Sequence, residues 1–322
     1  MRGAKPLSTN SSPSPRVERG IKGVRLINDL LTINVDAKEK LVYCNNAKRQ
    51  YTFGEDKMQM IDSHIHIDSR PREDLASMAT AGITAVVTLT YYPHIQLPIT
   101  SQTILDYFER SVRFETWRGK QELINVYVGV ALNPVSIPPD YEKVLAAIPK
   151  YITDEKVVAI GEVGLEPASQ TCPDLTRQKE ILGAQLKLAK KHGLPVIFHT
   201  PHADKEKWVN QYLELIAEEK VEPGKVVIDH ANASITKKVL DFGGNVGITV
   251  QPWRGLTPQD AAKILKDCDL THVLIDSDCN STMPSDSLSV PKTALEMKRI
   301  GFSNDDIKKV VFENPTRVFN LK

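Results

Sequence analysis

The sequence predicts an α/β fold, a (β/α)8 TIM barrel that follows an N-terminal, poorly ordered extension, and three observations predict it. Short apolar segments recur along residues 60–322, helical patterns stand between them, and polar residues follow several of the apolar segments. A barrel of this kind takes roughly 250 residues, which fits one domain in the chain of 322. A doubly wound open sheet is the alternative, but no Gly-x-Gly-x-x-Gly run follows the first apolar segment.

Residues 1–57 differ from the rest of the chain and are predicted to form a separate extension before a barrel of residues 58–322. Residues 1–20 are rich in Ser, Pro and Arg, so they bury too little apolar surface to offset the entropy of ordering. Residues 1–59 carry a net charge of +5, whereas residues 60–322 carry −4. We expect disorder or a mis-assigned start, with translation beginning at Met58 or Met60. A transit peptide and an accessory segment are the alternatives.

The composition excludes several classes of protein. Charged residues make up 25% and hydrophobic residues 41% of the chain, which is typical of a globular protein. No run of 18 apolar residues occurs, so we expect no membrane partner. The four cysteines lie far apart without a Cys-x-x-Cys pair, which indicates a reducing, cytoplasmic location. Because residues 60–322 are mildly acidic, their surface as a whole does not attract a nucleic acid, and any contact with one is expected to be local.

Eight apolar segments predict the barrel strands, and several are continuous Val/Ile runs, as in strands buried on both faces. These segments are residues 60–66, 83–89, 126–132, 157–164, 195–199, 226–230, 245–250 and 272–278. Helical patterns between them cover residues 102–118, 141–151, 175–191, 204–219, 234–242, 258–267 and 290–300. Thr100 and Ser101 are candidate caps for the first of these helices, and Gly193 follows a cationic last turn as a stop signal.

Residues that can bind metal lie towards the ends of the predicted strands, where barrel active sites form. They include four of the eight histidines and two carboxylates: His64, His66, Glu162, His199, His230 and Asp278. Side chains two apart on a strand share a face, so His64 and His66 can bind one ion. Each residue alone also fits an ordinary role, as a rim histidine, a buried ion-pair partner or a helix cap. Together they predict a metal centre.

Four imidazoles and two carboxylates exceed the needs of one tetrahedral site and suit two divalent ions that share a carboxylate. Glu162 is the natural bridge. We assign the first ion to His64, His66, Glu162 and Asp278, and the second ion to Glu162, His199 and His230. Zn, Mn, Mg, Ni and Co are all candidates.

Three further carboxylates lie beside these residues in the sequence. Asp276 shares the predicted strand face of Asp278, and Asp62 that of His64, so both are expected to support a strand or a ligand from behind. Asp229 alternates with His230 and is expected to point away from the centre.

The ordered motifs IDSHIHID, AIGEVGLE, PVIFHT, VIDHAN and LIDSD resemble the TatD-related branch of the amidohydrolase superfamily along the whole of residues 60–322. The run PSDSLSVPKTALEMKR resembles a less studied subgroup of that branch. This resemblance implies a TIM barrel, hydrolysis and a two-ion site. In that site Glu162 is the bridging ligand and Asp278 is the ligand from the last strand. Several family members are metal-dependent deoxyribonucleases, including 3′-end exonucleases.

The resemblance has departures in residues that face the substrate. A Gly-x-His-Pro motif of the family nucleases is replaced by Ala131-Leu-Asn133-Pro134, and a His-x-Arg motif by His199-Thr-Pro201. The closing Thr-Asp-x-Pro pattern becomes Asp276-Ser-Asp278-Cys279. The missing His and Arg are groups that hold a phosphate, so the departures bear on nuclease activity more than on hydrolysis.

The predicted mechanism uses a hydroxide that bridges the two ions, because divalent ions lower the pKa of bound water from 15.7 to about 7. Glu162 and Asp278 are the predicted catalytic residues, with Asp278 as general base or proton shuttle. Polar residues in the loops after six strands are candidates for positioning the substrate, although ordinary loop residues fit equally well: Arg70, His94, Asn133, His202, Asn232 and Arg254.

Three classes of function remain open at this point. The first is hydrolysis of phosphoesters in DNA 3′ ends or nucleotides, and the second is a small-molecule amidase or lactonase. The third is a metal-stabilised binding protein without turnover. A nuclease predicts a groove with local Lys and Arg and a strong salt dependence, whereas a small-molecule hydrolase predicts a closed pocket.

Overall fold

The computed structural model describes residues 58–92, 99–169, 172–282 and 284–322. Within these residues eight strands form one parallel sheet in the order β1 to β8. They are β1 (Met60–Ile65), β2 (Ile83–Leu89), β3 (Asn125–Val130), β4 (Val157–Gly164), β5 (Val196–His199), β6 (Val226–Ile228), β7 (Asn245–Thr249) and β8 (Val273–Asp276). The predicted extension at residues 1–57 and the candidate His94 lie outside the described residues.

The sheet curls into a nearly closed barrel. Parallel pairing joins each strand to the next, for example Val128 to Val157 and Ile197 to Val227. Residues beyond β8 then reach β1, because the Asp278 amide donates to the His64 carbonyl at 2.8 Å. The predicted TIM barrel is therefore confirmed, and strands 1 and 8 meet where both carry candidate site residues.

Helices surround the barrel between successive strands. In the described residues they are α1 (Arg72–Thr80), α2 (Ser101–Glu109), α3 (Thr116–Gln121), α4 (Glu142–Tyr151), α5 (Leu175–His192), α6 (Lys205–Glu218), α7 (Ala233–Asp241), α8 (Pro258–Lys266), α9 (Ser289–Arg299), α10 (Asn304–Lys308) and α11 (Asn314–Phe319). π-helical turns at Arg110–Glu115 and Lys309–Glu313 connect α2 to α3 and α10 to α11. The apolar pattern does not predict α1, α10 or α11.

Local signals explain the helix boundaries. Thr100 caps α2 by accepting from the Thr103 amide, as predicted. Asp174 caps α5 by accepting from the Arg177 amide. Gly193 ends α5 at φ 66°, a left-handed conformation that glycine adopts without strain.

Alternating strand residues divide the core into two layers. Val86 faces the large cluster between the strands and the helices, which includes Leu75 and Phe108. Val87 and Leu89 belong to a second cluster with Ile197, Val227 and Leu274, which fills the barrel interior. Phe319 of α11 packs against this second cluster.

Two findings concern membrane-spanning helices and the cysteines. Along the described part of the chain, no helix is long and apolar enough to cross a membrane. Cys172, Cys268 and Cys279 are free thiols.

Candidate metal centre

The candidate metal residues come together at the carboxyl end of the barrel. His64 belongs to β1, Glu162 to β4 and His199 to β5, and His66, His230 and Asp278 follow the ends of β1, β6 and β8. His199 pairs in register with Gly164, two residues after Glu162, so the sheet itself places the two side chains side by side.

The first group of donors consists of His64, His66 and Asp278. The Nε2 atoms of the two histidines lie 3.3 Å apart. Asp278 Oδ1 lies 3.1 Å from His66 Nε2 and 3.6 Å from His64 Nε2. The three side chains are buried, and their donor atoms lie close enough together to hold one ion.

The second group consists of Glu162, His199 and His230. Glu162 Oε1 lies 3.0 Å from His199 Nδ1 and 3.0 Å from His230 Nε2. Its other oxygen, Oε2, lies 3.8 Å from His64 Nε2 in the first group. Asn133 donates to Oε2 at 2.9 Å and fixes the carboxylate between the two groups.

The outer nitrogen of each histidine meets a hydrogen-bond partner, which is the usual arrangement for metal-binding imidazoles. His66 Nδ1 donates to the Leu89 carbonyl at 2.9 Å, and His64 Nδ1 meets Asp229 Oδ2 at 2.5 Å. His230 Nδ1 donates to the Thr249 hydroxyl at 2.8 Å, and His199 Nε2 lies 3.3 Å from Glu166 Oε2. When an imidazole is neutral, as a metal ligand must be, these bonds select the tautomer that leaves the inner nitrogen with a lone pair.

The prediction that Asp229 points away from the centre is wrong. Asp229 is buried inside the barrel, where it contacts His64 and accepts from the His230 amide at 2.8 Å. The reason is the backbone of His230, which has a φ of 55°. This left-handed residue breaks the strand alternation on which the prediction depended, so neighbouring side chains face the same region.

The other two flanking carboxylates lie behind the ligands, as predicted. Asp62 accepts from the Ser277 amide at 3.1 Å and the Ser277 hydroxyl at 2.6 Å, so it ties β1 to the end of β8. Burial raises the pKa of Asp62 to about 6, although the bonds from Ser277 lower it. Burial and the charge of Asp229 raise the pKa of Asp276 well above its usual range.

The electrostatics of the centre suit a cation. Burial lowers the pKa of His64, but the charges of Glu162 and Asp229 outweigh it and hold that pKa well above its usual range. Burial raises the pKa of Glu162, but His64 and His199 hold it well below its usual range. Burial likewise lowers the pKa of His199, and Glu162 and Glu166 raise it to about 9. The negative potential that favours these imidazolium ions also favours divalent metal.

Two of the six non-glycine residues with a positive φ in the described part of the chain lie at this centre. His230 has a φ of 55° and Asp278 a φ of 39°, and neither is a glycine. Such conformations cost about 1–3 kcal/mol each and persist where the surrounding structure enforces them. The donor set and the strain together fit a centre built for divalent ions.

Of the residues predicted to position the substrate, two line a cavity beside the metal centre and one holds a metal-site carboxylate. His202 and Asn232 line a cavity of about 330 Å³ beside His230, together with Lys205 and Leu256. Asn133 instead holds Glu162.

The other two described candidates lie in loops around the barrel. The guanidinium of Arg70 pairs with Asp74 at 2.5 Å and donates to the Asn280 carbonyl, so it organises the loop after β1. Arg254 ends a short 3-10 turn after β7, and its side chain is outside the described part.

Sequence reasoning missed three residues at the centre: Glu166, Thr249 and Lys205. Glu166 stands two positions after Gly164 in the motif that supplies Glu162, which is a signal that was available. Thr249 and Lys205 carry no signal of their own, because only the fold brings them beside His230.

Sequence comparisons with known proteins find relatives along most of the chain. The sequence profile of the family described as TatD related DNase matches residues 61–320. An uncharacterized metal-dependent hydrolase of Methanocaldococcus jannaschii is 34% identical over 262 residues, which cover 81% of this chain and 100% of that protein.

Solved structures show the same fold. The TatD-like protein of Archaeoglobus fulgidus is 28% identical, covers 81% of this chain and 99% of its own, and has a TM-score of 0.66. A β-aspartyl dipeptidase of Fervidobacterium islandicum is 20% identical, with a TM-score of 0.57 over 82% of this chain and 74% of that one. At that identity the second likeness concerns the fold alone.

Proposed function

The chain belongs to the TatD-related family of metal-dependent hydrolases, and from this premise we propose that it hydrolyses phosphoester bonds, in DNA 3′ ends or nucleotides, with two divalent ions. His64, His66, Glu162 and Asp278 would hold one ion, and Glu162, His199 and His230 would hold the other. The observation that carries the proposal is the pair of buried donor groups with one oxygen of Glu162 facing each. A shared carboxylate is typical of two-ion hydrolytic sites.

Bound ions would supply an activated water and would polarise the phosphoryl oxygen. The chain's own residues control the rest. Asn133 and the two second-group histidines fix Glu162, so the shared carboxylate stays oriented. The carboxylate of Asp278 takes the proton of the attacking water and passes it to the leaving oxygen. Burial raises the pKa of Asp278, but His66 and His64 hold it below its usual range, so the carboxylate is ionised in the ion-free protein.

The cavity beside His230 gives the substrate a place to bind. Lys205, at the first turn of α6, and His202 supply cationic or polar groups, and Asn232 supplies an amide. The ammonium of Lys205 lies 3.3 Å from the Pro201 carbonyl, and a lysine beside this cavity suits an anionic substrate. Residues 60–322 carry a net charge of −4, so the surface around the barrel does not attract an anion. Attraction of an anionic substrate is then confined to the cavity beside His230, which favours a short substrate.

A small-molecule amidase or lactonase is the second candidate. It is favoured by the departures from the nuclease motifs, since Asn133 replaces a histidine and bonds Glu162 rather than an open cavity. The fold is also that of a dipeptidase. A metal-stabilised binding protein without turnover is the third candidate, and strained, oriented ligands such as His230 argue against it.

The decisive test is cleavage of 3′-end-labelled single-stranded DNA by the purified protein with Mg, Mn or Zn added. Asp278→Asn should abolish cleavage, whereas Asp267→Asn, the same change at an exposed helix end, should leave it unchanged. Equal cleavage by Asp278→Asn would refute the assignment of Asp278. No cleavage by the wild type, together with turnover of an amide or a lactone, would favour the second candidate.

Lys205→Gln separates substrate binding from chemistry. We expect KM for the DNA to rise about tenfold with kcat nearly unchanged, and the slope of log affinity against log salt to fall by about 1. An unchanged KM and salt slope would contradict the role of Lys205.

A further inference from the structure

We propose that Asp229 is the positioning residue that couples the two metal groups, because its carboxylate orients one histidine of each. This role rests on the proposed two-ion centre. Asp229 is not one of the assigned ligands, and sequence alternation places it on the opposite face from His230.

One oxygen of Asp229 serves the first group. Oδ2 accepts from His64 Nδ1 at 2.5 Å, which holds the imidazole with Nε2 facing His66 and Asp278. A carboxylate behind a metal-binding imidazole fixes the ring and increases the basicity of the donor nitrogen.

The other oxygen serves the second group through Thr249. The Thr249 hydroxyl donates to Asp229 Oδ1 at 3.0 Å and accepts from His230 Nδ1 at 2.8 Å. These two hydrogen bonds hold His230 with its Nε2 atom facing Glu162 at 3.0 Å. Oδ1 also accepts from the His230 amide at 2.8 Å, which holds the left-handed backbone of that residue.

Donor atoms of Asp229, His64 and His230 also lie close enough together to hold an ion, but the bonds that Asp229 makes argue against it as a direct ligand. Both of its oxygens are occupied by donors that lie behind the histidines, while the inner nitrogens face Asp278 and Glu162. The carboxylate is buried, so it has no bulk water to replace these bonds.

The chemistry requires a carboxylate rather than an amide. His64 Nδ1, the His230 amide and the Thr249 hydroxyl all donate to Asp229. An asparagine has only one acceptor oxygen, so its NH₂ group would face at least one of these donors. In Asp229→Asn at least one of the two histidines therefore loses the bond that orients it. In Thr249→Val only the link from Asp229 to His230 through the Thr249 hydroxyl is lost.

The test is calorimetric titration of the full-length protein, stripped of ions by chelation, with Mn²⁺ alone. His66→Ala and His199→Ala each remove a donor of one group and so assign the two binding events. We expect Asp229→Asn to weaken the first event about 10- to 100-fold and also to weaken the second. Thr249→Val should weaken only the second, by about tenfold, and Thr249→Ser should restore it to within about threefold of wild type.

The possible results distinguish a failure of the coupling role of Asp229 from a failure of the proposed two-ion centre. Wild-type protein that binds no Mn²⁺ would overturn both. Two wild-type events that persist unchanged in Asp229→Asn, or a Thr249→Val variant that weakens neither event or both equally, would overturn the coupling role alone. Thr249→Val nearly conserves side-chain volume. It therefore tests the link from Asp229 to His230 even if Asp229→Asn does not fold.

Discussion

Gly247→Ala tests whether Asp229 lies inside the barrel. A Cβ at position 247 of β7 would lie 2.2 Å from Oδ1 and 2.8 Å from Cγ of Asp229. Non-bonded atoms pack at roughly 3.5–4.0 Å, so the carboxylate would have to move by about 1 Å or more. Close-packed interiors do not absorb such a movement freely.

The cost follows from what Asp229 would lose. Moving it breaks at least one of its bonds from His64, the His230 amide and the Thr249 hydroxyl, and hydrogen bonds to a charged group contribute about 1.5–3 kcal/mol each. Overpacking a core adds about 1–3 kcal/mol. We expect a loss of about 3 kcal/mol or more in the free energy of unfolding. At roughly 2–4 °C per kcal/mol, Tm should fall by about 6–12 °C.

Thermal unfolding followed by circular dichroism in the presence of a chelator measures this effect. Gly224→Ala is the matched control, because a Cβ there meets no atom within 4 Å and Tm should stay within about 2 °C of wild type. In an Asp229→Ala background the extra cost of Gly247→Ala should drop below about 1 kcal/mol. Equal Tm values for Gly247→Ala and Gly224→Ala would refute the placement of Asp229.

Three further predictions concern the ions, a buried ion pair and a pH dependence. Mn²⁺ at 100 times its Kd should stabilise the protein by about 2.7 kcal/mol for each ion bound, a Tm rise of roughly 5–11 °C per ion, and Glu162→Gln should abolish that rise. Glu115 is fully buried and pairs with Arg118 at 2.7 Å and Arg110 at 3.0 Å, both of which reach solvent, so Glu115→Ala should cost about 1.5–3 kcal/mol in urea unfolding, and a cost below about 1 kcal/mol would contradict a stabilising role for these pairs. Hydrogen bonds from Ser101 lower the pKa of Asp140 to about 2, so its stabilising effect is present above about pH 4 and is lost as pH falls through 2; the Tm difference between wild type and Asp140→Ala should shrink over that range, and a constant difference would contradict the ionised carboxylate.

Much of the fold was predictable because the barrel repeats one simple signal. Runs such as those of β4 and β5 are apolar on both faces and are bounded by polar residues. Helix α1 carries a weaker signal, since only Leu75 and Met78 are buried in its length. The region of α10 and α11 is interrupted by a π-helical turn and by Pro315, which obscures the helical period.

The candidate ligands were predictable for a different reason. The carboxyl ends of parallel strands converge, so residues such as His64 and His199 can be brought together without knowledge of any side-chain contact. Asp229 could not be placed in this way, because the left-handed backbone of His230 turns that histidine towards the side on which Asp229 lies. Thr249 is likewise undetectable in sequence, since its role exists only through its bonds to Asp229 and His230.

The strain and the buried charges of the centre have a common explanation in metal binding. Glu162, Asp229 and Asp278 are buried together with histidines, and His230 and Asp278 adopt backbone conformations that cost about 1–3 kcal/mol each. A protein that only needed a stable barrel would gain from apolar side chains at these positions. Divalent ions at the two groups would neutralise the carboxylates and hold the strained residues in place. The arrangement therefore sacrifices stability of the ion-free protein for a centre in which every imidazole is already oriented.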